Sequence, residues 1–197
     1  MRDREALFES TGRDDIILPF QIDPYGLRGR VVRLGPVVDA ILSRHGYPEP
    51  VAVMLGETMA LAACLAGSLK YDGVFTLQTK GDGPIGVLMA DVTTDGAVRA
   101  YATYDEDRLE AVPSSAVADR SVPRLLGGGY IAFTVDQGAN TDRYQGIVEL
   151  AGQTLSDCTH AYFQQSEQLG AGVKIAAARV GDGWRAGGIM VQRMPYS

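Results

Sequence analysis

The chain has 197 residues, which is long enough for one well-cored domain and short for two. Its composition, 46% hydrophobic and 21% charged, is that of a globular protein and excludes a disordered one. No run approaches the roughly 18 apolar residues of a membrane span, and residues 1–5 lack the apolar core of a signal peptide. We therefore predict a cytoplasmic protein with no membrane partner.

The charge pattern argues against a nucleic-acid partner. The net charge is −6 and the pI about 4.9, and lysine occurs only at positions 70, 80 and 174. Duplex binding depends on clustered cations that neutralise phosphates, and this chain shows no such cluster.

The sequence predicts no metal site and no cofactor in these 197 residues. Cys64, Cys158, His45 and His160 are four potential ligands, but no pair of them has the short spacing of a zinc knuckle. Cys158 and His160 lie two apart on a predicted helix and therefore face opposite sides of it.

The first elements are two strands and a helix. Residues 16–22 and 28–34 read as strands joined by a turn at 23–26. A helix follows from Pro36, with apolar residues at helical spacing and Gly46 as its end.

Residues 51–69 predict a helix that is apolar on nearly every side, interrupted mainly by Glu57, Thr58 and Ser68. Such a helix belongs in a protein core. Cys64 lies within it and is expected to be a small buried hydrophobe.

The middle of the chain predicts a β-meander followed by an irregular connection. Strand-like runs at 74–80, 85–92 and 97–103 are separated by Gly-containing turns. Residues 105–129 contain two prolines and the triple glycine 127–129. Beyond a short helix around 107–112, they predict a long mobile connection with a glycine hinge.

The last third predicts four strands and one helix. Strand runs cover 130–136, 144–150, 173–180 and 184–192. Between them, Thr154 and Asp157 form a capping box that opens a helix with Leu155, Cys158, Tyr162 and Leu169 as its apolar stripe and Gly170 as its end. Because strands and helices are clustered, we predict an α+β fold with mixed, largely antiparallel sheets, a buried central helix and a few further helices.

Two features resemble catalytic motifs. Gly81, Gly83 and Gly86 spell a dinucleotide fingerprint, but Pro84 and a strand follow them where a helix N-terminus is required, which favours a turn. Glu57 on the core helix is either a general base with a raised pKa or, as we favour, the partner of an arginine or of backbone N–H groups.

The remaining polar candidates have structural interpretations. Ser166 and Glu167 are helix neighbours that do not face each other, so they do not form a nucleophile–base pair. His45 ends a helix, where the dipole favours a cation, and His160 is expected to face solvent. Trp184 is expected to anchor a core or an interface. We predict no catalytic residue and no enzyme.

The order of several short stretches resembles the 33-kDa heat-shock chaperonin (heat shock protein 33) family. The resemblance spans almost the whole chain, and the polar stretch YFQQSEQ is its most specific part. The stretches are GLRGR at 26–30, LGE at 55–57, LKYDG at 69–73, LQ at 77–78 with Gly81, Gly83 and Pro84, LGGG at 126–129, YQGIVEL at 144–150, YFQQSEQ at 162–168 and RAGG at 185–188.

The resemblance implies an ATP-independent holdase that binds unfolded or aggregation-prone polypeptides under oxidative or heat stress. In that family a C-terminal module holds zinc through four cysteines until they are oxidised. This chain contains neither the C-x-C nor the C-x-x-C pattern. Residues 1–197 thus resemble a single chaperone core domain without that module, either truncated on purpose or after loss of its C-terminal part. A homodimer is also expected.

The rival hypothesis is a small-molecule-binding enzyme that uses the turn at residues 81–86 and the 105–129 loop around Glu57. A deep polar pocket with converging titratable groups would favour the enzyme, and a broad apolar surface would favour the chaperone. A structural dimer module is a third hypothesis, which a single large apolar self-interface would favour.

Overall fold

The computed structural model describes residues 14–167 and 170–194, with Ser166 and Glu167 by backbone alone. Within these ranges it has nine strands and six α-helices. The strands are β1 Ile16–Ile22, β2 Leu27–Leu34, β3 Val74–Gly81, β4 Ile85–Thr93, β5 Val98–Tyr104, β6 Gly129–Asp136, β7 Tyr144–Glu149, β8 Ala171–Val180 and β9 Gly183–Arg193. The helices are α1 Pro36–His45, α2 Glu49–Ala66, α3 Glu106–Glu110, α4 Ser114–Ala118, α5 Val122–Leu125 and α6 Leu155–Tyr162.

The strands form two antiparallel sheets, which confirms the predicted α+β class. The first sheet has the order β1-β2-β9-β8 and so joins the first hairpin of the chain to the last. The second sheet has the order β5-β4-β3-β6-β7. Every strand pairing in the described ranges is antiparallel.

Helix α2 lies between the two sheets and is the centre of the core. It packs against β4 and β5 on one side and against β2, β8 and β9 on the other. Fifteen of its residues are buried, which confirms the predicted core helix. The helix is long and apolar enough to cross a membrane by length and composition, contrary to our expectation from the sequence, but 83% of it is buried inside the protein.

Helix α2 ends earlier than predicted. It stops at Ala66, where the Gly67 N–H donates to the Ala63 carbonyl at 3.0 Å. The Ser68 hydroxyl donates to the Leu65 carbonyl at 2.6 Å. These bonds satisfy carbonyl groups of the last turn, and residues 67–69 of the predicted helix lie beyond it.

The connection at 105–129 is more regular than predicted. It forms α3, α4 and α5, and it is anchored by buried Leu109, Val122 and Leu125. Its two prolines stand at helix N-termini, where a missing N–H is tolerated, and do not interrupt the chain. The prediction of an irregular connection was therefore wrong, and its mobility stays a prediction.

Several local predictions are confirmed. Gly46 ends α1 in the left-handed conformation at φ 61°. The capping box of Thr154 and Asp157 is present at the start of α6. A π-helical turn, Phe163–Glu167, continues α6. Leu169, predicted for the apolar stripe, lies outside the described residues.

Gly56 shows how closely α2 meets the first sheet. A Cβ at this position would lie 2.7 Å from the Cβ of Ala177 on β8. Gly56→Ala should therefore lower the free energy of unfolding by about 1–2 kcal/mol, because overpacking outweighs the roughly 1 kcal/mol gain in helix propensity. Chemical denaturation measures this. Adding Ala177→Gly should restore part of the loss, whereas additive single effects would contradict the contact.

Candidate functional site

The turn with the dinucleotide-like glycines is a strand-to-strand connection. It joins β3 to β4, so no helix N-terminus is available for a phosphate. The Gly83 N–H donates to the Leu126 carbonyl at 2.7 Å, and Asp82 Oδ1 accepts from the Gly128 N–H at 2.8 Å. The turn interpretation is confirmed.

The triple glycine is packed against this turn and does not act as a hinge. A Cβ on Gly129 would lie 1.9 Å from the Lys80 carbonyl oxygen, and one on Gly81 would lie 2.0 Å from the Leu126 carbonyl oxygen. Gly127 also has a φ of +73°. The glycines therefore permit close approach of two backbone segments, and the hinge prediction was wrong.

Glu57 is buried on α2 and forms an ion pair with Arg120, which follows α4. The Arg120 Nε lies 2.6 Å from Glu57 Oε1. Burial raises the pKa of Glu57 from 4.5 to about 7, against the opposing effect of the Arg120 charge. The favoured interpretation, an arginine partner, is confirmed.

The rival enzyme site is not assembled. Glu57 contacts Arg120, whereas the turn at residues 81–86 packs on residues 126–129. The cavity of about 250 Å³ that Arg120 lines adds only Glu49 as a second charged group. Within residues 14–167 and 170–194, no group of three or more His, Cys, Asp or Glu residues is arranged to hold a metal ion.

The cysteines and histidines occupy structural positions. Cys64 and Cys158 are free thiols with no exposed surface, and burial raises their pKa to about 12 and about 11. His45 is exposed at the end of α1 beside Tyr47. His160 is half-buried and its Nε2 accepts from the Val173 N–H at 2.9 Å, so the prediction that it faces solvent was wrong.

The aromatic residues of interest are also structural anchors. Trp184 is buried, its backbone N–H donates to Asp39 Oδ1 at 2.9 Å, and the guanidinium of Arg179 lies 5.0 Å from its ring centroid. In the stretch 162–168, Tyr162 and Phe163 are buried. Gln164 and Gln165 are exposed, and Gln168 lies outside the described residues.

The outer face of the first sheet, the side turned away from α2, is apolar and uncovered by any described element. By register, Leu18, Val31 and Ile189 form one cross-strand row. Phe20, Gly29 and Val191 form the next row, and a Cβ on Gly29 would collide with the Phe20 ring. The two rows are adjacent, so the apolar surface is contiguous across three strands.

The exposures on this face are high for large apolar side chains. Leu18 is 47% exposed and Ile189 is 42% exposed, with Ile22 of β1 also exposed at the end of the face. The sequence of β1 did not indicate that these residues form a surface site, because the sequence of a strand does not tell which of its two faces packs on a core.

A pH-dependent measurement tests the Glu57 environment. The native carboxyl keeps a proton between about pH 4.5 and 7 that the unfolded chain releases, so this group makes the protein less stable as pH rises through that window. Glu57→Gln removes the titration. The variant should gain about 2 kcal/mol relative to the parent between pH 5 and 8. Urea unfolding at several pH values measures the difference, and a pH-independent difference would contradict the raised pKa.

The cysteines should be inert in the native protein. Both thiols are buried with raised pKa values, and the thiolate is the reactive form. A thiol reagent such as dithionitrobenzoate should label neither at pH 8 until the chain is unfolded in guanidinium. Rapid labelling of a folded sample would place a reactive cysteine in this domain.

The comparisons with known proteins agree on one family. The family model described as Hsp33 protein matches residues 15–197. A 33 kDa chaperonin of Caulobacter vibrioides (strain NA1000 / CB15N) is 45% identical over 183 residues, covering 91% of this chain and 60% of the relative. A 33 kDa chaperonin of Pseudomonas fluorescens (strain Pf0-1) is 41% identical over 176 residues, covering 89% of this chain and 55% of the relative.

A solved structure agrees with both the fold and the family. The crystal structure of the 33 kDa chaperonin (heat shock protein 33 homolog) from Thermotoga maritima superposes with a TM-score of 0.73 at 26% identity, covering 90% of this chain and 60% of that chain. The chain thus spans 55–60% of the length of these relatives. On the family match and these likenesses together, the chain belongs to the Hsp33 family.

Proposed function

We propose that this chain is a chaperone domain that holds unfolded or aggregation-prone polypeptides without ATP. The observation that carries the proposal is the contiguous apolar outer face of the first sheet, defined by Leu18, Phe20, Val31, Ile189 and Val191. An apolar surface of this kind on a soluble protein marks an interaction site. The family supports the same activity, since its named members are chaperonins.

The surroundings of the face suit an extended and unspecific partner. β1 and β8 are the edge strands of the sheet, and no described residue pairs with the outer edge of β1, so its backbone groups there can accept a further strand. Lys174 on β8 is the cross-strand partner of Ile189 on β9, so it lies at the border of the apolar rows. A flat apolar surface beside one such edge can bind many sequences, because it needs apolar side chains and backbone groups and no particular order of them.

The rest of the functional proposal follows the family. We infer a cytoplasmic protein that needs no cofactor in this domain, acts in oxidative or heat stress, and is regulated in full-length members by a zinc-binding redox module. The same apolar face would also serve a homodimer, since a two-fold pair would cover it. Client polypeptides would then compete with the dimer contact.

An aggregation assay tests the client surface. The protein should suppress light scattering by a thermally unfolding enzyme at near-stoichiometric ratios, under reducing conditions and without nucleotide. Leu18→Ser combined with Ile189→Ser should require several-fold more protein for the same suppression, because it interrupts the central apolar row.

The matched control is Ile147→Ser on the outer face of the second sheet. Ile147 is 56% exposed, so its loss removes a comparable apolar group from another surface. It should leave suppression unchanged. Equal losses in both variants, or no suppression by the folded parent, would contradict the proposal. Sedimentation of the parent and the double variant separately reports whether the face also holds a dimer.

A further inference from the structure

A second recognition feature lies inside the molecule, away from the outer sheet faces. A cavity of about 450 Å³ opens between the two sheets beyond the C-terminus of α2. Its volume lies within the range of pockets that bind small molecules. Six aromatic side chains form much of its wall: Tyr71, Phe75, Phe133, Tyr144, Tyr162 and Phe163.

The aromatic wall is fixed by its own contacts. The ring centroids of Phe133 and Tyr162 are 4.5 Å apart, and those of Tyr162 and Phe163 are 5.7 Å apart. The hydroxyl oxygens of Tyr144 and Tyr162 lie 3.2 Å apart. The Tyr71 hydroxyl donates to the Val92 carbonyl at 2.9 Å. A wall held in this way offers a preformed surface for a planar apolar group.

The charges that line the cavity are both positive. Arg28 comes from β2 of the first sheet, and Lys70 comes from the segment that follows α2. Neither forms an ion pair with any residue in the part of the chain that the structure describes. Arg28 and Lys70 therefore form a local basic site for an anion in a chain whose net charge is −6.

We propose that this cavity binds a small aromatic carboxylic acid. The planar ring packs on the aromatic wall, and the carboxylate pairs with Arg28 and Lys70. Both recognition elements have a match in this one ligand class. The inference does not depend on chaperone activity.

The probe is indole-3-propionate, and isothermal titration calorimetry measures its binding to the chain. It should bind saturably at one site per chain. Indole-3-propionamide, which lacks the charge, should bind about ten-fold or more weakly, because charge-assisted hydrogen bonds are lost.

Protein variants locate the site. Arg28→Ala with Lys70→Ala should weaken the acid about ten-fold or more and leave the amide unchanged. Both side chains are exposed at the rim, so the variant should fold. Lys174→Ala, which removes an exposed lysine from β8, is the matched control and should have no effect. Intermolecular NOEs from the indole protons to the Phe133 and Tyr162 rings should be observed. No saturable binding, equal binding of acid and amide, or an equal loss in the Lys174 variant would each overturn the proposal.

Discussion

The burial of helix α2 between two sheets is the constraint on which the rest of the structure depends. A helix that is apolar on all sides has to be covered on all sides, and here it uses the inner face of both sheets to achieve this. Those inner faces are then turned towards the helix. The outer face of the first sheet receives no covering layer from the described part of the chain, although its rows from Leu18 to Ile189 are apolar. The surface that we assign to clients is thus a consequence of how the core is built.

The same constraint explains why the Glu57 carboxyl loses its hydration. A carboxyl on a helix that is covered all round is buried, and its raised pKa of about 7 reflects the lost hydration. Arg120 reaches it from a segment 63 positions later in the chain and so ties the 105–129 connection to the core. Arg120 itself has a φ of 52°, an uncommon conformation for a residue other than glycine. The ion pair therefore serves as a tertiary contact between the core helix and the connection. The described residues around it lack the converging groups of a catalytic site.

Local signals in the sequence were sufficient for most of the fold. Gly46, the capping box of Thr154 and Asp157, and the strand runs act through neighbouring residues, and each could be recognised without the rest of the chain. Non-local contacts could not be recognised. The glycines at 127–129 look like a hinge until their close approach to residues 80–83 is known. The partner of Glu57, the hydrogen bond from Val173 to His160 and the cavity that brings Arg28 to Lys70 likewise depend on segments that are distant in sequence.

The central claim is that unfolded polypeptides meet this domain on the outer face of the first sheet. Site-specific photo-crosslinking tests it most directly, with a benzophenone side chain placed at position 189 or at position 147. Both positions are exposed isoleucines, one on each sheet, so the probes differ mainly in the surface that they report. We expect crosslinks to a thermally unfolding enzyme from position 189, few from position 147, and none from either to the same enzyme in its native state. Equal crosslinking from both positions, or crosslinking from position 147 alone, would contradict the account.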